Sequence, residues 1–204
     1  MTNIEQLIKS RTSANNYDKG HKLSGDEIAQ LIELATYSPS AFNFQNWKFI
    51  AVQTDEAKQR LLPLAYGQPK IVDAAVTFIV CGTLEPQLGL PSALQPSLDA
   101  GILDEATVNG WVGAANGMYT GNITMQRDEA VRSGAMAAMT LMLAAQGRGL
   151  VSCPMIGFDQ AAVAADFGLL ATDVLVMLVA VGRAAAGNWP QKPRKDVAKV
   201  LSFV

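Results

Sequence analysis

Histidine and cysteine are scarce in this chain of 204 residues, which contains one histidine, His21, and two cysteines, Cys81 and Cys153. A protein zinc site needs roughly four ligands at paired Cys or His spacings, and no such pair occurs here. The sequence therefore predicts no metal site. Both cysteines fall in apolar runs, where a free thiol behaves as a small hydrophobic side chain. We interpret His21, beside a glycine and two lysines, as an exposed loop residue.

Charge is also limited, at 17% of residues and a net −2, and no stripe of Lys or Arg suggests a nucleic-acid partner. Residues 133–146 are almost wholly apolar, yet Arg132 and Arg148 limit the segment to about 15 residues, fewer than the ~20 that cross a bilayer. We predict a buried helix there, and no membrane span. The first residues lack a basic segment followed by an apolar run, so we expect no signal peptide and a cytoplasmic location.

The hydrophobic fraction of 50% is high for a monomer with so few charges, so we expect apolar surface to be buried between chains. The length favours one domain over residues 1–204, with two small domains as the less favoured alternative. Hydrophobic periodicity is lost from about 85 to 127, where we place only a short helix near 104–112 within a variable insertion. Elsewhere it predicts helices at 4–10, from 24 to the loop at 38, at 54–62 and at 128–147, and strands at 47–54, 74–83, 151–155 and 174–181.

Residues 38–47, Ser-Pro-Ser-Ala-Phe-Asn-Phe-Gln-Asn-Trp, hold more chemistry than a connector between a helix and a strand requires. Hydroxyl and amide side chains alternate with aromatic rings. A flat heteroaromatic ligand needs apolar contact on its face and hydrogen bonds at its edge, so this composition favours a ligand-binding loop. The alternative is a well-packed surface turn.

Two sparse basic elements bracket the chain. Residues 11–18 combine Arg11 with hydroxyl and amide side chains, and Lys192 and Arg194 lie near the C-terminal end. Each element alone could be a solvated surface segment. If the C-terminal segment folds back onto residues 11–18, the cations and the Ser13 hydroxyl would converge as a phosphate clamp, because arginine makes bidentate bonds to phosphate.

Short motifs follow one another along the chain in a distinctive order. They are Arg11-Thr12-Ser13 followed by Tyr17, the loop 38–47, the turn Gly67-Gln68-Pro69-Lys70, the turn from Pro154 to Phe158, and Lys192-Pro193-Arg194. In this order and spacing they resemble the FMN-dependent nitroreductase family. The resemblance covers essentially all of the chain except residues 85–127.

The resemblance implies an α+β fold, a three-layer α/β/α sandwich with a central mixed sheet, in an intertwined homodimer with FMN at the subunit interface. It implies that the phosphate is held by the cations of the two basic elements, that the loop 38–47 reaches the flavin of the partner chain, and that the backbone around Ile156 meets the flavin N5/O4 edge. Gln68 or Lys70 would lie at the pyrimidine edge. The full set of expected cofactor-binding residues is Arg11, Thr12, Ser13, Asn15, Pro39, Ser40, Ala41, Asn43, Gln68, Lys70, Pro154, Met155, Ile156, Gly157, Lys192 and Arg194.

The function implied by the resemblance is hydride transfer from NADH or NADPH to FMN, and then to a nitroaromatic, quinone or activated alkene in ping-pong order. No side chain is assigned a catalytic role, since the cofactor carries the chemistry. Phe42 is expected to line the substrate pocket. The alternatives are a non-catalytic flavin-binding protein on the same fold and a dimeric scaffold without cofactor.

Four residues depart from the family's pattern. Asn15 stands where many members have a cation, which would leave Lys70 alone beside the reduced flavin. Asn46 replaces a proline, so we expect a looser loop. Ile156 replaces an acidic residue, and Phe42 is bulkier than usual and would narrow the pocket.

Overall fold

The computed structural model describes residues 4–204, which form eight α-helices and four β-strands. The predicted helices and strands outside residues 85–127 all appear, with ends shifted by a few residues. The helices are α1 Ile4–Ser10, α2 Gly25–Ala35, α3 Asp55–Leu64, α4 Lys70–Asp73, α5 Pro86–Asp99, α6 Glu105–Tyr119, α7 Ile123–Gly147 and α8 Gln160–Asp166, and the strands are β1 Trp47–Val52, β2 Val76–Thr83, β3 Val151–Met155 and β4 Asp173–Gly182.

The four strands form one sheet in the order β1-β2-β4-β3, and all three strand pairings are antiparallel. The expected mixed sheet is therefore wrong for the strands of a single chain. Val52 at the end of β1 pairs with Thr77 at the start of β2, because α3 and α4 bring the chain back to the end of the sheet that it has just left. Outside the named strands, Ser13 forms an isolated parallel bridge with Ser152.

Helices cover both faces of this sheet, which confirms the α+β class and the three layers. Successive residues of β2 point to opposite faces: Phe78 belongs to the cluster formed with α2 and α7, and Ile79 to the cluster formed with α3, α4 and α8. Leu31 and Leu141 are fully buried on the first face, and Leu61 on the second.

The predicted buried helix is the C-terminal part of α7, and it approaches the sheet closely at two glycines. A Cβ atom added at Gly82 of β2 would lie 2.0 Å from the carbonyl oxygen of Ala130, and one added at Gly134 would lie 2.8 Å from Val176 Cγ2. Glycine at these two positions therefore permits the close approach. Among residues 4–204, no helix combines the length and the apolar character that crossing a membrane requires.

Residues 85–127 contain two complete helices and the start of α7, where the sequence predicted one short helix. α5 was missed because Pro91 and Pro96 lie inside it, and proline usually ends a helix at a cost of about 3 kcal/mol. α5 and α6 are stabilised by their own apolar cluster, in which Leu90, Leu94 and Tyr119 pack against Phe44.

Three buried groups, two phenols and one thiol, have raised pKa values. Burial raises the pKa of Tyr17 and that of Tyr119, and it raises the pKa of the Cys81 thiol to about 12. In an unfolded chain, thiols and phenols ionise at roughly pH 8.5 to 10. Below that range both states hold these protons, so the stability is fully present. Above it only the unfolded chain loses them, and the stability declines.

We therefore expect the free energy of unfolding to fall from about pH 9 upwards, by up to about 1.4 kcal/mol per pH unit for each of the three groups. Urea unfolding followed by circular dichroism at several pH values measures this slope. Tyr17→Phe removes one ionising group and, with it, the 3.3 Å hydrogen bond from the Tyr17 hydroxyl to the Ala180 carbonyl. Its slope should be shallower, and identical slopes in the two proteins would contradict the assignment.

Candidate functional site

The C-terminal segment folds back onto the first loop, as the clamp hypothesis requires. The Gln191 amide donates to the carbonyl of Arg11 at 2.9 Å and thereby ties the two segments together. They enclose a small cavity of about 60 Å³. We call this site the basic cradle, and its lining residues are Arg11, Thr12, Ser13, Trp189, Pro190, Gln191, Lys192 and Arg194.

The cations of the basic cradle are held in place without being neutralised. Arg194 donates to the carbonyl of Lys192 at 3.0 Å and to Gln191 Oε1 at 2.7 Å, and Lys192 Nζ lies 4.8 Å from the centre of the Trp189 ring. None of the ion pairs found among residues 4–204 includes Arg11, Lys192 or Arg194. The cradle therefore presents three uncompensated positive charges.

Arg11 carries an unsatisfied donor. Its Nη1 is buried and has no hydrogen-bond partner within residues 4–204. A buried polar group without a partner costs about 1–3 kcal/mol, and more when it is charged. An anionic oxygen in the cradle would remove that cost, so the geometry favours an anionic ligand such as a phosphate.

A second set of predicted residues gathers along β3. The amide of Ala14 donates to the Ser152 carbonyl at 3.0 Å, which fixes the first loop beside the strand. Lys70 Nζ lies 2.9 Å from Asn15 Oδ1 and 3.4 Å from Cys153 Sγ. The ammonium group is thus oriented by neutral partners and keeps its charge available.

The turn that follows β3 presents open backbone donors. Pro154 and Met155 complete the strand, and Ile156 is 81% exposed. Gln68 Nε2 donates to the carbonyl of Gly157 at 2.8 Å, which brings Gln68 to this turn. The N–H groups of Ile156 and Gly157 donate no hydrogen bond to other groups of the described chain.

The loop 38–47 has a strained backbone. Phe42, Asn43 and Gln45 have φ values of 51°, 60° and 51°, in the left-handed region that non-glycine residues rarely adopt. The amide of Gln45 donates to Ser40 Oγ at 2.9 Å. Asn46 does not loosen the loop as expected: it is buried, and its side chain donates to the Thr83 carbonyl at 3.0 Å.

The loop is attached to α7 by groups that the sequence analysis did not identify. Ser38 Oγ donates to Thr140 Oγ1 at 2.6 Å, and the amide of Ala41 lies 3.4 Å from Glu129 Oε1. Glu129 is 1% exposed, and it also accepts bonds from Tyr119, Arg132 and Ser133. The buried carboxylate therefore determines where the loop lies.

The two groups of predicted residues do not meet within one chain. Pro39, Ser40, Ala41 and Asn43 belong to the loop that packs on α7 and on the α5–α6 cluster. The other predicted residues line the basic cradle and β3. No hydrogen bond or ring contact among residues 4–204 joins the loop to the cradle or to the turn after β3.

Sequence reasoning missed three contributors to the cradle region. They are Asn188, which accepts the backbone N–H groups of Asn15 and Asn16 at 2.8 and 2.9 Å, and Trp189 and Gln191, which line the cavity. The sequence contains a signal for them, because their amide and indole side chains lie just before Lys192 and Arg194.

The fold and the site define a three-layer α+β protein with an anion-binding cradle beside a row of open hydrogen-bond donors. Residues 8–183 match the Nitroreductase family, and the chain belongs to that family.

Relatives span the whole chain. A Bacillus subtilis protein provisionally named NAD(P)H nitroreductase YodC is 33% identical over 204 residues, which is 100% of both chains. A provisionally assigned nitroreductase from Exiguobacterium sibiricum, solved in complex with FMN, superimposes with a TM-score of 0.93 at 27% identity, over 100% of this chain and 98% of that one. A second provisionally assigned nitroreductase structure, of ydfN from Bacillus subtilis, has a TM-score of 0.92 at 29% identity and 98% coverage of each chain.

Proposed function

We propose that this protein is an FMN-dependent oxidoreductase that takes reducing equivalents from NADH or NADPH and passes them to a nitroaromatic, quinone or activated alkene. Family membership, the FMN in the Exiguobacterium structure and the NAD(P)H in the name of YodC support this proposal. The observation that carries it is the buried, unpartnered Nη1 of Arg11 inside the basic cradle. When bound, FMN would supply the hydride acceptor and donor.

The residues present fit the FMN phosphate. Arg11, Lys192 and Arg194 supply three cations and Ser13 a hydroxyl, around a cavity in which no carboxylate is found among the described lining residues. A phosphate dianion would give Arg11 Nη1 the partner that it lacks, and charge-assisted bonds of this kind are the strong ones. Thr12 and Gln191 complete the walls.

The residues along β3 fit the polar edge of a flavin ring. Lys70 would hold positive charge there, and Asn15 orients its ammonium through the 2.9 Å contact. The loss of a cation at Asn15 is thus accompanied by a fixed position for Lys70. The free N–H groups of Ile156 and Gly157 would donate to ring acceptors.

We propose a cytoplasmic homodimer in which the loop 38–47 serves the flavin of the other subunit. The separation of the loop from the cradle within one chain supports this arrangement. So do exposed apolar side chains at both ends of the chain: Ile4 and Ile8 are 58% and 52% exposed, and Phe203 is 91% exposed. Sedimentation at micromolar concentration tests it, and a monomeric, flavin-loaded protein would contradict the shared site.

We propose that residues 1–204 form one domain, whose insertion at about 85–127 forms part of the substrate site. The Phe42 ring centre lies 5.4 Å from that of Phe44 and 6.3 Å, edge to face, from that of Trp111 on α6. Trp111 is 37% exposed. The two rings would form an aromatic wall that accepts flat substrates and limits their size.

Phe42→Ala is expected to raise kcat/KM for a bulky quinone more than for a small one, because removing the ring widens the pocket. Steady-state kinetics with 1,4-benzoquinone and a tricyclic quinone measure the ratio. Phe44→Leu is the matched control, since Phe44 is buried behind Phe42. Equal effects on both quinones would mean that Phe42 does not line the pocket.

Anaerobic reduction with each nicotinamide tests the proposed function directly. We expect a yellow protein that releases FMN on heating, bleaches with NADH or NADPH and is reoxidised by an acceptor panel. A bound flavin that neither nicotinamide bleaches would instead indicate the non-catalytic flavin-binding alternative. A colourless protein that does not take up FMN would indicate the scaffold.

A further inference from the structure

A second cavity lies away from the basic cradle. It has a volume of about 340 Å³ and lies where the start of α2, the C-terminal end of α7 and the adjacent ends of β3 and β4 meet. Its volume is within the range of small-molecule sites. Three leucines and three basic side chains dominate its lining: Leu23, Leu31, Leu150, His21, Arg148 and Arg183.

His21 is the unexplained group in this cavity. It is the single histidine of the chain, and the structure half-buries it, which contradicts the expected exposed position. Its Nδ1 is buried and has no hydrogen-bond partner anywhere in residues 4–204. Because buried polar atoms are almost always paired, Nδ1 is in need of a partner that this chain does not provide.

The two arginines that line the cavity with His21 have donors that other groups of the described chain do not use. Arg148 donates one bond, to Gln30 Oε1 at 3.0 Å. Arg183 is 3.8 Å from Asp18 Oδ2, in a pair whose side chains are 61% and 42% exposed, and exposed pairs of this kind contribute little. Both guanidinium groups therefore keep most of their donors free.

Glu27 is the acidic residue that lines the cavity, and its charge is already engaged. The backbone N–H and the hydroxyl of Ser24 donate to Glu27 Oε2 at 2.8 and 2.9 Å, and these bonds lower the pKa of Glu27. The carboxylate thus completes the capping box of α2. Two guanidinium charges against one carboxylate leave the cavity lining positive.

We propose that this cavity binds an aromatic monocarboxylate, at a site distinct from the proposed flavin site. The carboxylate would lie between Arg148 and Arg183 and accept a hydrogen bond from His21 Nδ1, and the ring would pack on the leucines. Guanidinium groups bind carboxylates through charge-assisted bonds, and the apolar lining accounts for the aromatic body. A neutral aromatic amide would lack the charge that the arginines require.

The single histidine allows occupancy to be observed directly. The sample is the untagged, full-length protein with whatever cofactor it retains on purification. It is titrated with 2-naphthoate and, separately, with the neutral analogue 2-naphthamide. The ring signals of ¹³C-labelled His21 are followed by NMR, and binding is measured in parallel by calorimetry. We expect naphthoate to shift the His21 signals saturably, with the Kd that calorimetry gives, and naphthamide to bind at least about tenfold more weakly.

Variants locate the site. Arg148→Gln and Arg183→Gln should each weaken naphthoate binding about tenfold or more, the usual effect of losing a charge-assisted bond. Arg60→Gln is the matched control, since Arg60 pairs with Asp166 on another face, and it should leave Kd unchanged. The proposal would be overturned if naphthoate did not bind, or if it bound without shifting the His21 signals. It would also be overturned if both cavity variants bound naphthoate as tightly as the unmodified protein, or if naphthamide bound as tightly as naphthoate. None of these outcomes depends on whether the protein reduces an acceptor.

Discussion

Arg11→Ala is expected to weaken FMN binding by about 1.5–3 kcal/mol, a roughly ten- to hundred-fold rise in Kd. The buried Nη1 of Arg11 has no protein partner within residues 4–204 and is therefore available to the phosphate. The substitution removes this donor together with its charge. Arg194→Ala should act in the same direction. Its effect should lie nearer the lower limit, because Arg194 already donates to Lys192 and Gln191.

Fluorescence titration of FMN onto the flavin-free protein measures both affinities. Arg60→Ala is the control, since it removes a guanidinium that pairs with Asp166 and stacks on Phe167, with no contact to the basic cradle. Arg11→Lys should give an intermediate Kd, because lysine keeps the charge but not the bidentate geometry. Unchanged affinity in both alanine variants would remove the phosphate assignment.

Glu129→Ala should lower the free energy of unfolding by about 2–4 kcal/mol, since several donors lose a buried acceptor at once. Tyr119, Ser133 and the amide of Ala41 would be left without this partner. Arg132 would be less affected, because its side chain is 58% exposed and can be hydrated.

Urea unfolding of the variant and of two controls measures this loss. Asp128→Ala removes the neighbouring acid of the same helix, which is exposed, and it should change the stability by less than about 0.5 kcal/mol. Glu129→Gln keeps the shape and one acceptor oxygen and should cost less than the alanine variant. If Asp128→Ala and Glu129→Ala cost the same, the buried network does not anchor the loop.

Local chemistry made much of the fold predictable from the sequence. Ser24 and Glu27 form the capping box that their spacing predicts, and Asp159 caps α8 by accepting a hydrogen bond from the N–H of Ala162. In each case the interacting atoms are a few residues apart, so the sequence alone contains the whole interaction.

Features that depend on distant residues were predicted less well. The antiparallel pairing of β1 with β2 follows from where α3 and α4 return the chain, which no local pattern records. The helix predicted at 128–147 begins earlier, at Ile123, so Glu129 faces the loop from inside the helix. α5 was hidden because the cluster around Leu90 and Leu94 outweighs its internal prolines.

The site was predictable in part for the same reason. Arg11 and Arg194 are 183 positions apart, and only a fold-back of the C-terminal segment unites them, which was a conditional hypothesis. Gln191, which makes that contact, carries no charge and was overlooked. The role of the loop 38–47 in a partner's site stays a prediction, because it depends on contacts with a second subunit.

The close contact between α7 and β2 limits which parts of this protein can move relative to each other. At Gly82 the strand lies directly against the backbone of Ala130, with no side chain between them, so a shift of α7 towards the sheet at this point would produce steric overlap. Because α7 also carries Thr140 and Glu129, which hold the loop, we expect the loop to keep its position relative to the sheet. We therefore expect opening motions that admit or release a ligand to arise in α5 and α6, which pack mainly on each other, rather than between α7 and the sheet.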